Sequence, residues 1–521
     1  MARQIRWELG LLAWLLCSAA SAAPPDPVAL AQRIDTHIEA GRKANGVTPA
    51  PRAGDPEFLR RLYLDLAGHI PRVYEAREFL DDQRPDKRSR EIDKLLDGAG
   101  YVSHFSTVWR REWLPQVGAD PQVQFLGPQF EIWLKKQLQA NAPYDKMVRD
   151  MITAPPYGYF DGTANGGNQA TAFLMANELK PENIAAATSR LFLGVKIECA
   201  QCHNHPFDTW KREQFWQFAS FFAGITPVGP NFRRAPNEAI EVRSLTIPDL
   251  NKKVSAKFLD GKEPKFTEKV SSRVTLAEWM TAKENPYFAR NAVNRIWANF
   301  FGTGLIDPLD EPGEQNPPSH PELLKELSKA FADSGYDLKF LIKAIVSSKA
   351  YQLSSASQGT SATNDRTFSR MKVRGLTPEQ LFDSLALATG YRDAPGSMRM
   401  YVDPRMPRGE FLAKFSSTER LSEVQTSILQ ALTLMNGKLI GELTSVERSE
   451  LLTGVANTPF FDTPQKIEVL YLAALSRKPT AEETRKLTEY VDKGGPTHDA
   501  NKALADVFWA LLNSSEFGFN H

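Results

Sequence analysis

The sequence predicts a mainly α protein: two helical domains with a small β insert between them. Two positive observations carry this. Apolar residues recur at three- and four-residue spacing through most of the chain, with capping residues ahead of the runs and Gly or Pro behind them. Strand-like alternation is confined to residues 225–272. In addition, no short-period repeat occurs, which argues against a solenoid.

The first residues read as an export signal. Arg3 and Arg6 precede an apolar run over 9–17, and small residues follow from Ser18 to Ala23. Cleavage is expected after Ala22, so residues 1–22 are a signal peptide and the mature chain is periplasmic or extracellular. The run is too short to span a bilayer, and no later segment is long and apolar enough to do so. Of the 3 cysteines, Cys17 would leave with the signal, and Cys199 and Cys202 remain. Two cysteines in so long a chain do not make a disulfide scaffold. A net charge of +1 gives no electrostatic footprint for nucleic acid. With 30 Phe, 13 Tyr and 10 Trp, the core is expected to be rich in rings.

The first helical domain is expected over 33–224. A helix over 28–42 leads in, and Asp55 caps a second whose Phe58, Leu62, Leu64 and Leu66 form an apolar face ending at Gly68. Helices follow over 73–80, 86–96, 102–114, 130–138 and 144–152, each closed by Gly, Pro or a charged turn. Glycines at 158, 162, 166 and 167 make 155–168 a mobile loop. Helices over 171–179 and 181–193 then approach the cysteines, and 210–223 is a helix dense in rings. In the insert, alternation over 240–243 and an Asp260-Gly261 turn between 254–259 and 265–269 predict a hairpin. The second domain, 273–521, restarts with helices over 275–282 and 286–301, the latter stopped by Gly302. Ser319-His320-Pro321-Glu322 has the capping-box pattern, and Thr377-Pro378-Glu379-Gln380 repeats it. Further helices are expected over 337–351, 424–435, 465–474, 480–491 and 503–512, with a polar loop over 354–364.

Chemistry concentrates in Cys199-Ala200-Gln201-Cys202-His203-Asn204-His205-Pro206-Phe207-Asp208. Cys-x-x-Cys-His is the attachment signature of haem c: two thiols form thioethers with the porphyrin and the histidine ligates iron. The ring-rich helix behind it has two readings, a wall for a porphyrin or plain core. No axial Met is identifiable by spacing; Met151 and Met175 qualify only if the fold brings them round. The second reading is zinc or another transition metal held by Cys199, Cys202, His203 and one of His205 or Asp208. The third is a disulfide, with His203 tuning the thiols. Asp310, Glu311, Glu314 and His320 form a weaker candidate for acid–base or metal chemistry, more simply read as cap and solvated loop. His69, at a helix end, and His104, on a helix face, read as structural or exposed. Gly-x-Ser-x-Gly, His-Glu-x-x-His and phosphate-binding glycine loops are absent, which argues against several common hydrolases and nucleotide enzymes.

Phe58-Leu59-Arg60-Arg61-Leu62-Tyr63-Leu64-Asp65-Leu66-Ala67-Gly68 and Phe192-Leu193-Gly194-Val195, running into the cysteine motif, resemble the planctomycete-type cytochrome c-like domain. The second half resembles the domain usually fused behind it, through Asn285-Pro286-Tyr287-Phe288-Ala289-Arg290, Val293-Asn294-Arg295-Ile296-Trp297 and Asn316-Pro317-Pro318-Ser319-His320-Pro321-Glu322. Leu376 to Asp383, Leu429 to Leu434 and Asn513 to Phe517 continue the match. Both domains of this resemblance lack an established function, and the cytochrome label itself leans on the Cys-x-x-Cys-His; the c-type haem and an exported redox partner are expectations from the motif and the export signal. Many relatives carry a further cytochrome-like domain, whereas this sequence holds one Cys-x-x-Cys-His. A non-redox protein binding an extracellular polymer is the competing expectation.

Overall fold

The computed structural model describes residues 25–119, 123–156, 169–206, 209–226, 237–311, 313, 315–356, 365–392, 407–415 and 438–521. The signal segment, most of the 155–168 loop and the 424–435 helix lie outside them, as do Asp208 and Glu314. The described chain is mainly α, with β structure limited to two-stranded pairs. Among the described residues, no helix is long and apolar enough to cross a membrane.

Helix boundaries follow the local code closely. Val73–Asp81, Lys87–Leu96 and Tyr144–Ile152 lie within one residue of expectation, whereas Asp55–Leu66 starts at Asp55 itself, with Gly54 at its cap and no side-chain cap bond, and stops two residues before Gly68. At Pro378–Thr389 the capping box is complete: Thr377 Oγ1 accepts from the Gln380 N–H (3.1 Å), and Gln380 Oε1 accepts from the Thr377 N–H (3.0 Å). The matching pattern before Pro321–Asp333 does not form a box. His320 holds the cap position without a side-chain cap bond. The Ser319 hydroxyl turns instead to the Leu305 carbonyl (3.3 Å) and His320 Nδ1 (3.1 Å).

The insert also differs from expectation. Its hairpin pairs Ser244–Ile247 with Lys252–Ser255, ahead of the expected 254–269. The reversal runs through Asp249 (φ 64°) and Asn251 (φ 51°), residue types that tolerate the left-handed region. A second short pair, Ile225–Thr226 with Asn237–Glu238, flanks it.

Buried apolar side chains form two clusters whose frontier is not the insert. The larger runs from Leu30 to Met371 and adds Leu472, taking Ile225, Ile247, Val254 and Leu259 of the insert with it. Helix Pro27–Ala44 packs on Pro321–Asp333 and Leu338–Ser347, so the N-terminal helix is completed by the second half. The smaller cluster spans Leu376 to Phe517 and captures Leu64 and Ile70 from the first.

Helix Asp55–Leu66 ties the two together. All of Phe58 to Leu66 is buried, including three charged residues. The Arg60 guanidinium donates to the carbonyls of Ala474 (3.0 Å) and Phe517 (2.7 Å). Arg61 donates to those of Tyr351 (2.7 Å) and Leu353 (2.9 Å) and to Glu57 (2.7 Å). Asp65, 3% exposed, accepts from Arg374 (2.8 and 2.9 Å), the Tyr351 hydroxyl (2.9 Å) and Asn520 (2.7 Å). Buried charges persist only when paired and hydrogen-bonded in this way.

Candidate functional site

The cysteine segment is built on the end of a helix. Pro181–Thr188 continues as a π turn, Ser189–Leu193, and stops at Gly194 in the left-handed region (φ 66°). Only glycine suits this stop, because a Cβ would lie 2.6 Å from Asn291 Oδ1. Asn291 donates to the Leu191 carbonyl (2.7 Å), and Arg295 donates to that of Arg190 (2.9 Å). Both belong to helix Phe288–Phe301 of the second half. Lys196 adds an ion pair to Glu311 (3.3 Å), and Val195 and Ile197 are buried.

From this base the motif turns outward. Ala200 is fully buried between the cysteines, Cys199 is half-buried, Cys202 is exposed, and both thiols are free. The Gln201 carbonyl accepts from Trp216 Nε1 (3.0 Å) and Arg212 Nε (3.3 Å). Asn204 Oδ1 accepts from the Arg212 N–H (3.0 Å), and the His205 N–H donates to the Trp210 carbonyl (2.8 Å). The loop is thereby folded against helix Arg212–Ala219. His203 is exposed, with Nδ1 2.7 Å from the Asn204 carbonyl. A carbonyl can only accept, so Nδ1 carries the proton and the neutral ring keeps its lone pair on Nε2. Ligating histidines are oriented in the same way.

The rings behind the motif are spent in the core. Phe215, Trp216, Phe218, Phe221 and Phe222 are buried; Phe221 stacks on Phe258 (5.2 Å), which stacks on Trp279 (4.7 Å). Met151 is fully buried and Met175 half-buried. The residues present therefore fit attachment and proximal ligation of a haem, and the ring-rich helix supplies no free wall for one. For a four-ligand metal, no group of three or more His, Cys, Asp or Glu converges among the described residues.

Carboxylates line the base of the segment. Burial raises the Glu198 pKa, offset in part by Arg190 and Lys196, and Glu198 Oε2 is buried without a hydrogen-bond partner. Burial likewise raises that of Asp310, against the pull of Arg295, which binds both Asp310 and Glu112. Asp310 and Glu311 thus join ion pairs that hold the motif's base. His320 stands apart from them, packed against Gly41 and Phe368. Burial pushes its pKa down to about 4, and that of His104 to about 3, the latter helped by His69. The sequence reading missed the structural roles of Asn291, Arg295 and the Arg60–Arg61–Asp65 set. The available signal was three charges inside a helix apolar on all sides.

No curated protein and no solved structure matches the chain. Residues 33–226 match a family model described as PSCyt2, a protein of unknown function (DUF1549). Residues 272–408 match one described as PSD1, a protein of unknown function (DUF1553). The chain therefore carries two fused domains of unknown function, one from each of these families.

Proposed function

We propose that this chain is an exported redox protein carrying one c-type haem, with Cys199 and Cys202 as thioether donors and His203 Nε2 as the proximal ligand. Each thiol S–H would add across one porphyrin vinyl group, so attachment consumes no further reactant. The observation that carries the reading is the His203 ring, held by its Nδ1–H on the Asn204 carbonyl with Nε2 turned to be a ligand. The accessible Cys202 and the buried Ala200 between the thiols support it, since attachment needs exposed sulfur on a firm base. The haem supplies one-electron chemistry when bound. Because Cys202 and His203 are exposed, a haem held by them would be within reach of an exported electron partner.

The test is expression in an oxidising compartment with a haem-attachment system. A Soret band that survives denaturation and acid–acetone extraction is expected, and it should vanish in Cys199→Ala/Cys202→Ala. Apoprotein alone from that system would sink the reading. Metal analysis and thiol titration would then decide between a metal site and a disulfide.

A further inference from the structure

A cavity of about 230 Å³ lies against the larger apolar cluster, and it shares no residue with the cysteine segment. We propose that it binds a small carboxylate built on a single six-membered ring. The volume falls below the roughly 300–1,000 Å³ of sites for larger organic ligands, which limits the guest to about one ring. Four residues with side-chain donors line it: Arg370, Thr303, Ser355 and Ser369. Among the described residues, none of these side-chain groups has an intramolecular hydrogen bond or ion pair. Ser369 is buried as a residue, yet its hydroxyl is not among the buried polar atoms that lack a partner, so water or a ligand can reach it. Lys372 adds a second cation, and no Asp or Glu is among the described lining residues. Arginine beside hydroxyls suits a carboxylate with polar substituents.

The remaining wall suits a ring. Phe301, Phe368 and Met371 form a buried apolar floor, and Val373, 44% exposed, marks the rim. The wall is also held in place from behind. Arg42 donates to the carbonyls of Thr367 and Phe368, the Ala50 N–H to that of Ser369 (2.8 Å), and the Met371 N–H to that of Ser354 (3.2 Å). Phe368 itself has φ 50°, an uncommon conformation for a bulky residue and one that tends to persist at ligand clamps. A cavity fixed before its ligand arrives loses little freedom on binding.

Calorimetric titration of the full chain with cyclohexanecarboxylate and with D-glucuronate tests this, with cyclohexanemethanol and D-glucose as neutral counterparts. At least one acid should bind, at least tenfold more tightly than its neutral counterpart. Arg370→Gln should weaken that binding at least tenfold with an unchanged melting temperature, because its guanidinium has no partner to lose among the described residues. Ser369→Ala should weaken it severalfold. Failure of both acids to bind, equal binding of the neutral molecules, or unaltered binding by Arg370→Gln would each overturn the proposal.

Discussion

Two segments carry the strongest motifs in this chain, and they use their polar residues in opposite directions. In helix Asp55–Leu66, Arg60, Arg61 and Asp65 are turned inward and bound to carbonyls and side chains of the second half. In the turn Cys199 to His203, the thiols are free and the His203 ring is exposed. The first segment is a joint, its charges bound by the chain itself. The second holds back reactive groups on a base that the second half secures. A recognisable motif therefore marks either assembly or chemistry, and the burial of its polar atoms tells which.

Breaking the joint should have the largest effect. Asp65→Ala leaves Arg374 buried without its carboxylate, so denaturant unfolding should show a loss of about 3–5 kcal/mol. An unchanged midpoint would mean that the joint contributes nothing. Tyr351→Phe removes only one donor to the same carboxylate and should cost about 1.5–3 kcal/mol in the same measurement. At the base of the turn, Gly194→Ala meets both the positive φ and Asn291; a loss of about 1–2 kcal/mol is expected. Faster modification of Cys199 by a thiol reagent should accompany it, as the base loosens.

Acid should act on the buried side of the comparison. His104 and His320 stay neutral in the fold down to about pH 3 and 4, whereas the unfolded chain takes up their protons near pH 6.5. Between these limits the unfolded state binds more protons. Stability is thus fully present above pH 6.5 and declines as pH falls through the window. Unfolding midpoints measured from pH 7 to 4 should fall; a flat profile would contradict the lowered pKa values of the two rings. The smallest effect belongs to the exposed turn: Cys199→Ser/Cys202→Ser should shift unfolding by no more than about 0.5 kcal/mol. The same variant should lose all covalent haem if the redox reading holds.

Much of the fold was legible because it is local. The capping pair Thr377 and Gln380, the stop at Gly302 and the helix over 144–152 depend on neighbours within a few residues, and sequence spacing displays those directly. The His320 cap failed the same reasoning, because Ser319 found a better partner in Leu305, fourteen positions away. The hairpin register was missed for a related cause: Asp260-Gly261 is a turn signal, but strand pairing is decided by what the strands pack against. Of the candidate site, the ligating residue types could be read, whereas the grip of Asn291 and Arg295 on the preceding helix could not.

The sequence by itself determined the helical class, most helix ends and the presence of a Cys-x-x-Cys-His, since propensity, capping and motif spacing are properties of adjacent residues. Tertiary structure decided which polar groups are spent. It buried the ring-rich helix against the insert and sank Arg60, Arg61 and Asp65 into the joint. It also left the cysteine turn and the Arg370 cavity with unspent donors. Burial and pairing are settled between residues hundreds of positions apart, as Asp65 and Asn520 show, and no local pattern encodes them.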